Sequence, residues 1–221
     1  MTWKTNRVSD TGLWGKSNPQ KKNMLSCKEL DILLRHEWFI MIFRAIEFAT
    51  KAHSGQYRKG TRIPYIMHPL NVAKTLIQLE CPEPVIVAGI LHDTLEDTRV
   101  TFDELLETFG KEIADLVNSA SEPNKSDLIW ENRKAHTLKH LRVASHEQLV
   151  LSLADKLDNI RSIREDHEGI GDRLWKRFNR PKEKQKWYYE ALAAIFSEKL
   201  IDDKCLPLVD RFRTDVKYMF G

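Results

Sequence analysis

The chain has 221 residues, of which 42% are hydrophobic and 30% are charged. A chain of this length can form one substantial hydrophobic core. A second domain of ordinary size would leave too few residues for the first domain. A formal net charge of +3 is too small to indicate binding to duplex nucleic acid, so any basic surface that matters must be local. We therefore expect one domain with extensions and no nucleic-acid partner.

Cysteine spacing and apolar patterning favour the cytoplasm. The three cysteines, Cys27, Cys81 and Cys205, form no CxxC pair, so the sequence indicates neither a disulfide framework nor a thiolate zinc site. The first 20 residues lack the apolar stretch of a secretory signal. No window approaches the roughly 18 apolar residues that would span a bilayer. We expect a soluble cytoplasmic protein without a membrane partner.

The chain begins with a polar stretch, residues 1–25, which we interpret as a poorly ordered extension. A capping box at Ser26-Cys27-Lys28-Glu29 predicts the start of the first helix. Apolar residues at helical spacing continue that helix through Trp38, Ile42, Ala45, Ile46 and Ala49. Two glycines and a proline then predict a loop over 55–65, which carries the basic residues Arg58, Lys59 and Arg62.

Helical periodicity returns from Pro69 to Leu79 and stops at the Cys81-Pro82-Glu83-Pro84 segment. It resumes from Val85 to Leu95 as a nearly continuous apolar segment. A helix that is apolar on all sides is buried. We therefore predict that Val85 to Leu95 forms the central helix of the core.

The remaining sequence predicts further helices. Capping boxes at Thr101–Glu104 and Ser145–Gln148 each begin a helical run, the first ending near Val117 and the second near Ile163. Three more helices are predicted at 128–143, at about 182–200 and at about 206–219. Because no strand-like alternation of useful length and no internal repeat occurs, we predict an all-α fold.

The central apolar segment ends in four ionisable side chains, those of His92, Asp93, Glu96 and Asp97. A His-Asp pair placed against a core is costly unless it binds a cation, because an isolated buried carboxylate is strongly disfavoured. On a helix, Glu96 lies one turn beyond His92, and Asp97 lies one turn beyond Asp93. The second pair of carboxylates is therefore expected to face the same cavity as the first pair of side chains.

Two other segments place polar groups in apolar surroundings. His68 stands at the start of a helix, and Asp155 interrupts an apolar run, with Asn159 one turn later. Alone, His68 or Asp155 is more often an ordinary core or helix-start residue than a ligand. With the His-Asp pair, however, they supply two imidazoles and two carboxylates from three helices. This set suits Mn²⁺, Fe²⁺ or Zn²⁺ without choosing among them.

In this order the motifs resemble those of the HD-domain phosphohydrolases. They are more narrowly similar to the hydrolase domain of RelA/SpoT proteins and to the small alarmone hydrolases. The similarity covers roughly 43–164 and is carried by four segments, AHSGQYRK at 52–59, PYIMHP at 64–69, LHDTLEDT at 91–98 and LADKLDN at 153–159. It implies an HD-domain helical bundle, with 26–221 forming the hydrolase domain and its C-terminal helices.

The resemblance also implies roles for individual residues. One manganese ion (Mn²⁺) would be held by His68, His92, Asp93 and Asp155. The catalytic carboxylates would be Glu96 and Asp97, of which we favour Glu96 as the general base. Contacts to a nucleotide substrate would come from Arg58, Lys59 and Asn159. We interpret His53 as a packing histidine at the border of the site, because the ligand positions are already filled.

The implied reaction is metal-dependent release of pyrophosphate from the 3′ position of ppGpp or pppGpp, which leaves GDP or GTP. We expect a hydrolase alone, since the residues after Arg164 are too few for a synthetase domain, and a homo-oligomer is compatible with the sequence. Aromatic and basic residues near the C-terminus are candidates for closing the cavity, namely Lys182, Lys184, Lys186, Trp187, Tyr188 and Tyr189.

Two departures from the family pattern leave the substrate open. Arg62 adds a cation to the basic loop, and the similarity weakens after Asn118, where 121–142 contributes Lys125, Trp130, Arg133 and Lys134. An adenine alarmone, a nicotinamide dinucleotide phosphate and a nucleoside phosphate are alternative substrates. A nucleotide sensor without turnover is an alternative of another class, and a purely structural helical module is a third.

Overall fold

A computed structural model of the chain describes residues 27–122 and 129–221, with side chains from residue 40 onward. The predicted extension over 1–25 and Ser26 of the first capping box lie outside the described residues. Within these ranges helices dominate and no strand forms, apart from one isolated β-bridge between Tyr57 and Pro64. The described residues confirm the all-α prediction.

In chain order, the described residues form α1 (Cys27–Ala52), α2 (Met67–Gln78), α3 (Glu83–Leu91), α4 (Thr94–Asp97), α5 (Phe102–Phe109), α6 (Lys111–Ala120), α7 (Trp130–Leu141), α8 (His146–Ile170), the 3₁₀ helix η1 (Gly171–Arg177), α9 (Lys182–Lys199) and α10 (Leu206–Phe220). Among these helices, none combines the length and the apolar character needed to cross a bilayer, within the part of the chain that the structure describes.

Both capping boxes that lie in the described residues are confirmed. The Thr101 hydroxyl accepts from the Glu104 N–H at 3.2 Å, and the Glu104 carboxylate accepts from the Thr101 N–H at 2.8 Å. Ser145 and Gln148 form the same reciprocal pair at the start of α8. The helical run after Thr101 is nevertheless split, because Gly110 adopts a φ of 83° that ends α5 before α6 begins.

The central apolar segment is buried as predicted, but its helix does not continue to Leu95. Helix α3 ends at Leu91, and α4 begins after His92 and Asp93. At this junction two side chains donate hydrogen bonds to backbone carbonyls. The His92 imidazole donates to the Gly89 carbonyl at 2.8 Å, and the Thr94 hydroxyl donates to the Leu91 carbonyl at 2.7 Å. Such local side-chain bonds compete with the helical ladder. The one-turn spacing survives, since the Asp97 N–H still donates to the Asp93 carbonyl at 2.9 Å.

The core is built around α3 and α8. All residues from Val85 to Leu91 are buried, and α3 packs against α2, α6 and α8. A Cβ atom on Gly89 would lie 2.5 Å from Leu76 of α2, so glycine allows these two helices to approach closely. Helix α8 also contacts α6, α9 and α10. It therefore runs through the bundle and can present side chains to several neighbouring helices.

The flanking helices follow the predicted apolar faces. On α1, Ala45 and Ala49 are fully buried, whereas Ile42 and Ile46 are half-buried. The side chain of Trp38, which belongs to the same predicted stripe, lies outside the described residues. The two predicted C-terminal helices form as α9 and α10, which pack against each other and against α8.

Candidate metal centre and active site

Three segments bring the four predicted ligands together. His68 lies in the first turn of α2, His92 and Asp93 join α3 to α4, and Asp155 lies within α8. The Nε2 atoms of the two histidines are 3.3 Å apart. Asp93 Oδ2 is 3.1 Å from His92 Nε2 and 3.4 Å from His68 Nε2. Donor atoms bound to one ion at about 2.1 Å lie about 3.0–3.4 Å from their neighbours.

The fourth residue, Asp155, closes the group from the α8 side. Its Oδ1 atom is 3.2 Å from His68 Nε2 and 3.8 Å from His92 Nε2. The donor atoms of His68, His92 and Asp93 all lie within 4.8 Å of one another. The exposed fractions of His68, His92 and Asp155 are 2%, 3% and 9%, so the group is well shielded from bulk water.

Each histidine ring is oriented by a hydrogen bond at its other nitrogen. His68 Nδ1 donates to the Asp158 carboxylate at 2.6 Å, and His92 Nδ1 donates to the Gly89 carbonyl at 2.8 Å. Both Nε2 atoms consequently face the shared centre. Bonds of this kind fix the tautomer and the ring orientation of metal-binding histidines.

The electrostatics of the cluster favour a cation. Burial lowers the pKa of His68, but the hydrogen bonds that its ring donates to Asp155, Asp158 and Asp93 outweigh burial and raise that pKa well above its ordinary value. Burial raises the pKa of Asp93, but the charge of His92 and hydrogen bonds from both histidines hold it well below the ordinary range. A group of nitrogen and carboxylate oxygen donors in such a field fits a divalent ion.

Asp97 is held by contacts to both its side chain and its backbone. The Tyr65 hydroxyl lies 3.1 Å from Asp97 Oδ2, and the Gln56 amide donates to the Asp97 carbonyl at 2.7 Å. Gln56 in turn accepts a hydrogen bond from buried His53 at 2.8 Å, and the His53 ring packs 4.8 Å from the Tyr65 ring. His53 thus borders the site and supports it through Gln56 and Tyr65.

Glu96 faces a cavity beside the metal cluster. This cavity has a volume of about 390 Å³ and is also lined by His92, Asp93, Asp155 and Lys156. The Glu96 carboxylate accepts from the backbone N–H of Glu122 at 3.2 Å. One carboxylate of the predicted catalytic pair therefore lines the open space, whereas the other is bonded to Tyr65.

Partly buried cations lie beside the acidic cluster on the α7 and α8 side. The Lys156 ammonium donates to Asp155 Oδ2 at 2.6 Å, and the charge of Asp155 raises the pKa of Lys156 well above its ordinary value despite burial. Lys134 and Arg133 both pair with Glu122, whose side chain is only 8% exposed. These pairs partly neutralise the carboxylates and add cationic groups at the edge of the cavity.

The predicted substrate-binding residues differ in where they lie. Arg58 donates to the Asn159 side chain at 3.0 Å, and Asn159 donates to Asp155, so this pair is connected to the metal cluster. Lys59 instead places its ammonium 5.8 Å from the centre of the Phe178 ring. Arg62 is exposed on the loop between α1 and α2.

Of the aromatic and basic residues proposed to close the cavity, Tyr188 comes nearest to the buried cations. It is 3% exposed, and the Lys134 ammonium lies 4.8 Å from the centre of its ring. The lysines of that set contact other groups: Lys182 lies over Trp175, Lys184 is near Glu131 and Lys186 donates to the Phe220 carbonyl.

Sequence reasoning missed four residues that contact the predicted site, namely Tyr65, Glu122, Asp158 and Lys156. A signal existed for Asp158, because it lies three residues after Asp155 and therefore on a neighbouring face of α8. Tyr65 is the last residue of the predicted basic loop over 55–65. The pairing of Glu122 with α7 has no local signal, since it depends on how two helices meet.

Comparison with known proteins agrees with this geometry. A family model described as HD domain matches residues 45–176, which is more than half of the chain. The chain belongs to the HD domain family. Over 141 residues, it is 39% identical to the guanosine-3′,5′-bis(diphosphate) 3′-pyrophosphohydrolase of Aquifex aeolicus (strain VF5), a match that covers 62% of this chain and 20% of that protein. The chain spans about a fifth of the length of the curated relatives it matches.

Two solved structures extend the comparison of this HD domain. The crystal structure of lmo0812 from Listeria monocytogenes EGD-e is 40% identical, with a TM-score of 0.64, and the match covers 69% of this chain and 98% of that one. A metazoan ortholog of SpoT, reported to hydrolyse ppGpp, is 23% identical with a TM-score of 0.58, and the match covers 81% of this chain and 93% of that one. At this lower identity, the second likeness supports the fold alone.

Proposed function

We propose that this HD domain is a metal-dependent phosphohydrolase that removes the 3′-pyrophosphate of ppGpp or pppGpp, giving GDP or GTP and pyrophosphate. The observation that carries the proposal is the convergence of two imidazoles and two aspartates from separate helices, with Glu96 lining the adjoining cavity. The name of the Aquifex aeolicus relative supports the substrate class.

The ligands that we propose are His68, His92, Asp93 and Asp155, and the ion that we propose is Mn²⁺. Imidazole and carboxylate donors suit Mn²⁺, and they also suit Fe²⁺ and Zn²⁺, so the donor set does not by itself select one of these ions. When bound, the ion supplies an acidified water nucleophile and neutralises phosphoryl charge. The hydrogen bonds from His68 to Asp158 and from His92 to Gly89 keep the Nε2 donors aimed at the centre.

We assign the general base to Glu96 and a positioning role to Asp97. Glu96 lines the cavity, so its carboxylate can take a proton from the attacking water within that space. Asp97 is bonded to Tyr65 and through its carbonyl to Gln56, which orients its carboxylate beside Asp93. The two carboxylates therefore have different surroundings, which suits two different roles.

Arg58 and Asn159 are proposed to bind the nucleotide. The planar guanidinium of Arg58 can make bidentate contacts with phosphate or stack on a base. Its bond to Asn159 links substrate binding to Asp155, because Asn159 also donates to that ligand. Lys59, from the same loop as Arg58, is proposed to contact a phosphate as well. For this contact its ammonium would have to move away from the Phe178 ring.

The proposal is tested by incubating the purified chain with Mn²⁺ and ppGpp and measuring pyrophosphate and GDP. We expect turnover that is lost in Asp93→Ala, because this change removes the carboxylate donor from the group of His68, His92 and Asp93. A panel with an adenine alarmone, NADPH and GTP distinguishes the substrates. Intact ppGpp in both the natural chain and the variant would refute the assignment, and tight binding without turnover would indicate a nucleotide sensor.

A further inference from the structure

A second group of side chains that could hold a metal ion shares no residue with the HD site. It consists of His146, Asp202 and Cys205, which offer a nitrogen, an oxygen and a sulfur atom within 4.8 Å of one another. His146 is the first residue of α8, Asp202 lies between α9 and α10, and Cys205 immediately precedes the first residue of α10. The three donors therefore come from two regions that are far apart in sequence.

Asp202 makes a hydrogen bond with each of the other two residues of this group. His146 Nε2 lies 3.1 Å from Asp202 Oδ2, while Asp202 Oδ1 accepts from the Cys205 N–H at 3.0 Å. The side chains of His146 and Asp202 are 57% and 44% exposed, whereas Cys205 is only 3% exposed. The group therefore combines one buried thiol with two donors that are open to solvent.

We propose that His146, Asp202 and Cys205 bind one Zn²⁺ or another thiophilic divalent cation, with water in the fourth position. Zinc accepts sulfur, imidazole nitrogen and carboxylate oxygen in tetrahedral sites, at bond lengths of about 2.0–2.3 Å. The donor atoms lie within 4.8 Å of one another, so binding would draw them closer, with the adjustment made by the exposed side chains of His146 and Asp202. The sulfur donor also separates this site from the HD site, whose nitrogen and oxygen donors suit harder ions.

Charge and proton balance are consistent with this site. A thiolate and a carboxylate together neutralise the two charges of the cation. Cys205 is a free cysteine, and a free thiol is mainly protonated at neutral pH. Binding therefore replaces the S–H bond by a sulfur–metal bond and releases one proton to solvent.

A bound cation would join the start of α8 to the loop before α10. His146 and Asp202 are 56 residues apart, so the cation would close a long loop and stabilise the packing of α9 and α10 on α8. Because α8 also carries Asp155, Asp158 and Asn159, the stabilised helix is one of those that supply the HD cluster.

The test uses Co²⁺ as a spectroscopic substitute for Zn²⁺. Only a thiolate ligand gives a sulfur-to-cobalt charge-transfer band, and the predicted HD ligands contain no sulfur. The Cys27→Ser/Cys81→Ser double variant leaves Cys205 as the single cysteine of the chain. We expect this variant to develop the band on addition of Co²⁺ and to lose it when Zn²⁺ is added. A folded double variant without the band would overturn the proposal.

A second comparison does not depend on replacing the buried thiol. His146→Gln is expected to weaken Co²⁺ binding, followed by the same band, at least tenfold. The matched control is His167→Gln, because His167 is also on α8 and pairs with an aspartate, Asp172, at 3.3 Å. The control should leave the band unchanged. An equal effect of both substitutions, or none from His146→Gln, would rule out His146 as a ligand and with it the proposed site.

Discussion

The Tyr65 hydroxyl lies 2.6 Å from Oδ2 of Asp93. Its distance to Asp97 is also short, at 3.1 Å, so one phenol links a proposed metal ligand with a proposed positioning carboxylate. Burial and the charge of Asp93 raise the pKa of Tyr65 above its ordinary value, so the hydroxyl keeps its proton and remains a donor. The orientation of both carboxylates therefore depends on a side chain from the basic loop.

Tyr65→Phe is expected to lower kcat by about tenfold to 100-fold, because outer hydrogen bonds of metal sites have effects of this size. The fold-decrease in bound metal should be smaller than the fold-decrease in kcat, since Asp93 retains its two histidine neighbours. Turnover of ppGpp and bound metal are measured on the same preparation. Tyr57→Phe on the same loop, where the ring is 59% exposed, serves as the control. Equal kcat values for the two variants would contradict the role of Tyr65.

Asp158→Ala is expected to weaken metal binding about 10-fold to 100-fold, since it removes the acceptor that orients His68. The measurement is a metal titration of the apo protein by calorimetry. Asp166→Ala is the matched control on α8, because Asp166 pairs with Arg177 at 2.9 Å. If both variants bind metal like the natural chain, the His68–Asp158 bond does not matter for affinity.

Glu96→Ala and Asp97→Ala are each expected to retain the metal and to lose most turnover. Glu96→Ala removes the proposed base, with an expected loss of about 10²–10⁴-fold in kcat. Asp97→Ala removes a carboxylate that Tyr65 orients, and its effect should be smaller. Rates of ppGpp hydrolysis and bound metal are compared for both variants. Loss of metal from either one would show that the residue is a ligand instead.

Glu122→Gln is expected to reduce the free energy of unfolding by about 2–3 kcal/mol, because it leaves the nearly buried Lys134 ammonium without its charged partner. Burial raises the pKa of Glu122, but Lys134 and other cations outweigh burial and lower it below the ordinary value of 4.5. The contribution of this carboxylate is therefore fully present above pH 4.5 and is lost as the pH falls through its lowered pKa.

Urea unfolding of the natural chain and of Glu122→Gln across this pH range measures the difference. Glu131→Gln is the control, since Glu131 pairs with Arg180 in a more exposed position and should have little effect. A stability difference between the natural chain and Glu122→Gln that stays constant well below pH 4.5 would show that the charge of Glu122 is not its cause.

Local signals predicted most of the helices and the composition of the candidate site. Periodicity located α2, α3, α8, α9 and α10, and reciprocal side-chain caps marked the starts of α5 and α8. The break after Leu91 was missed because it depends on side-chain hydrogen bonds of His92 and Thr94, which compete with helix continuation. The gap between α5 and α6 was missed because periodicity alone does not reveal the backbone conformation of Gly110.

The sequence by itself determined that this is a helical HD domain in which His68, the His92-Asp93 pair and Asp155 interrupt apolar surroundings. Only the tertiary structure decided which side chains from different helices are in contact. Asp158 bonds to His68, which is 90 residues away in sequence, and Asp202 bonds to His146, which is 56 residues away. The physical reason is that helical spacing sets which side chains share a face of one helix. The distance between faces of different helices is set by how those helices pack, and that packing depends on the whole core.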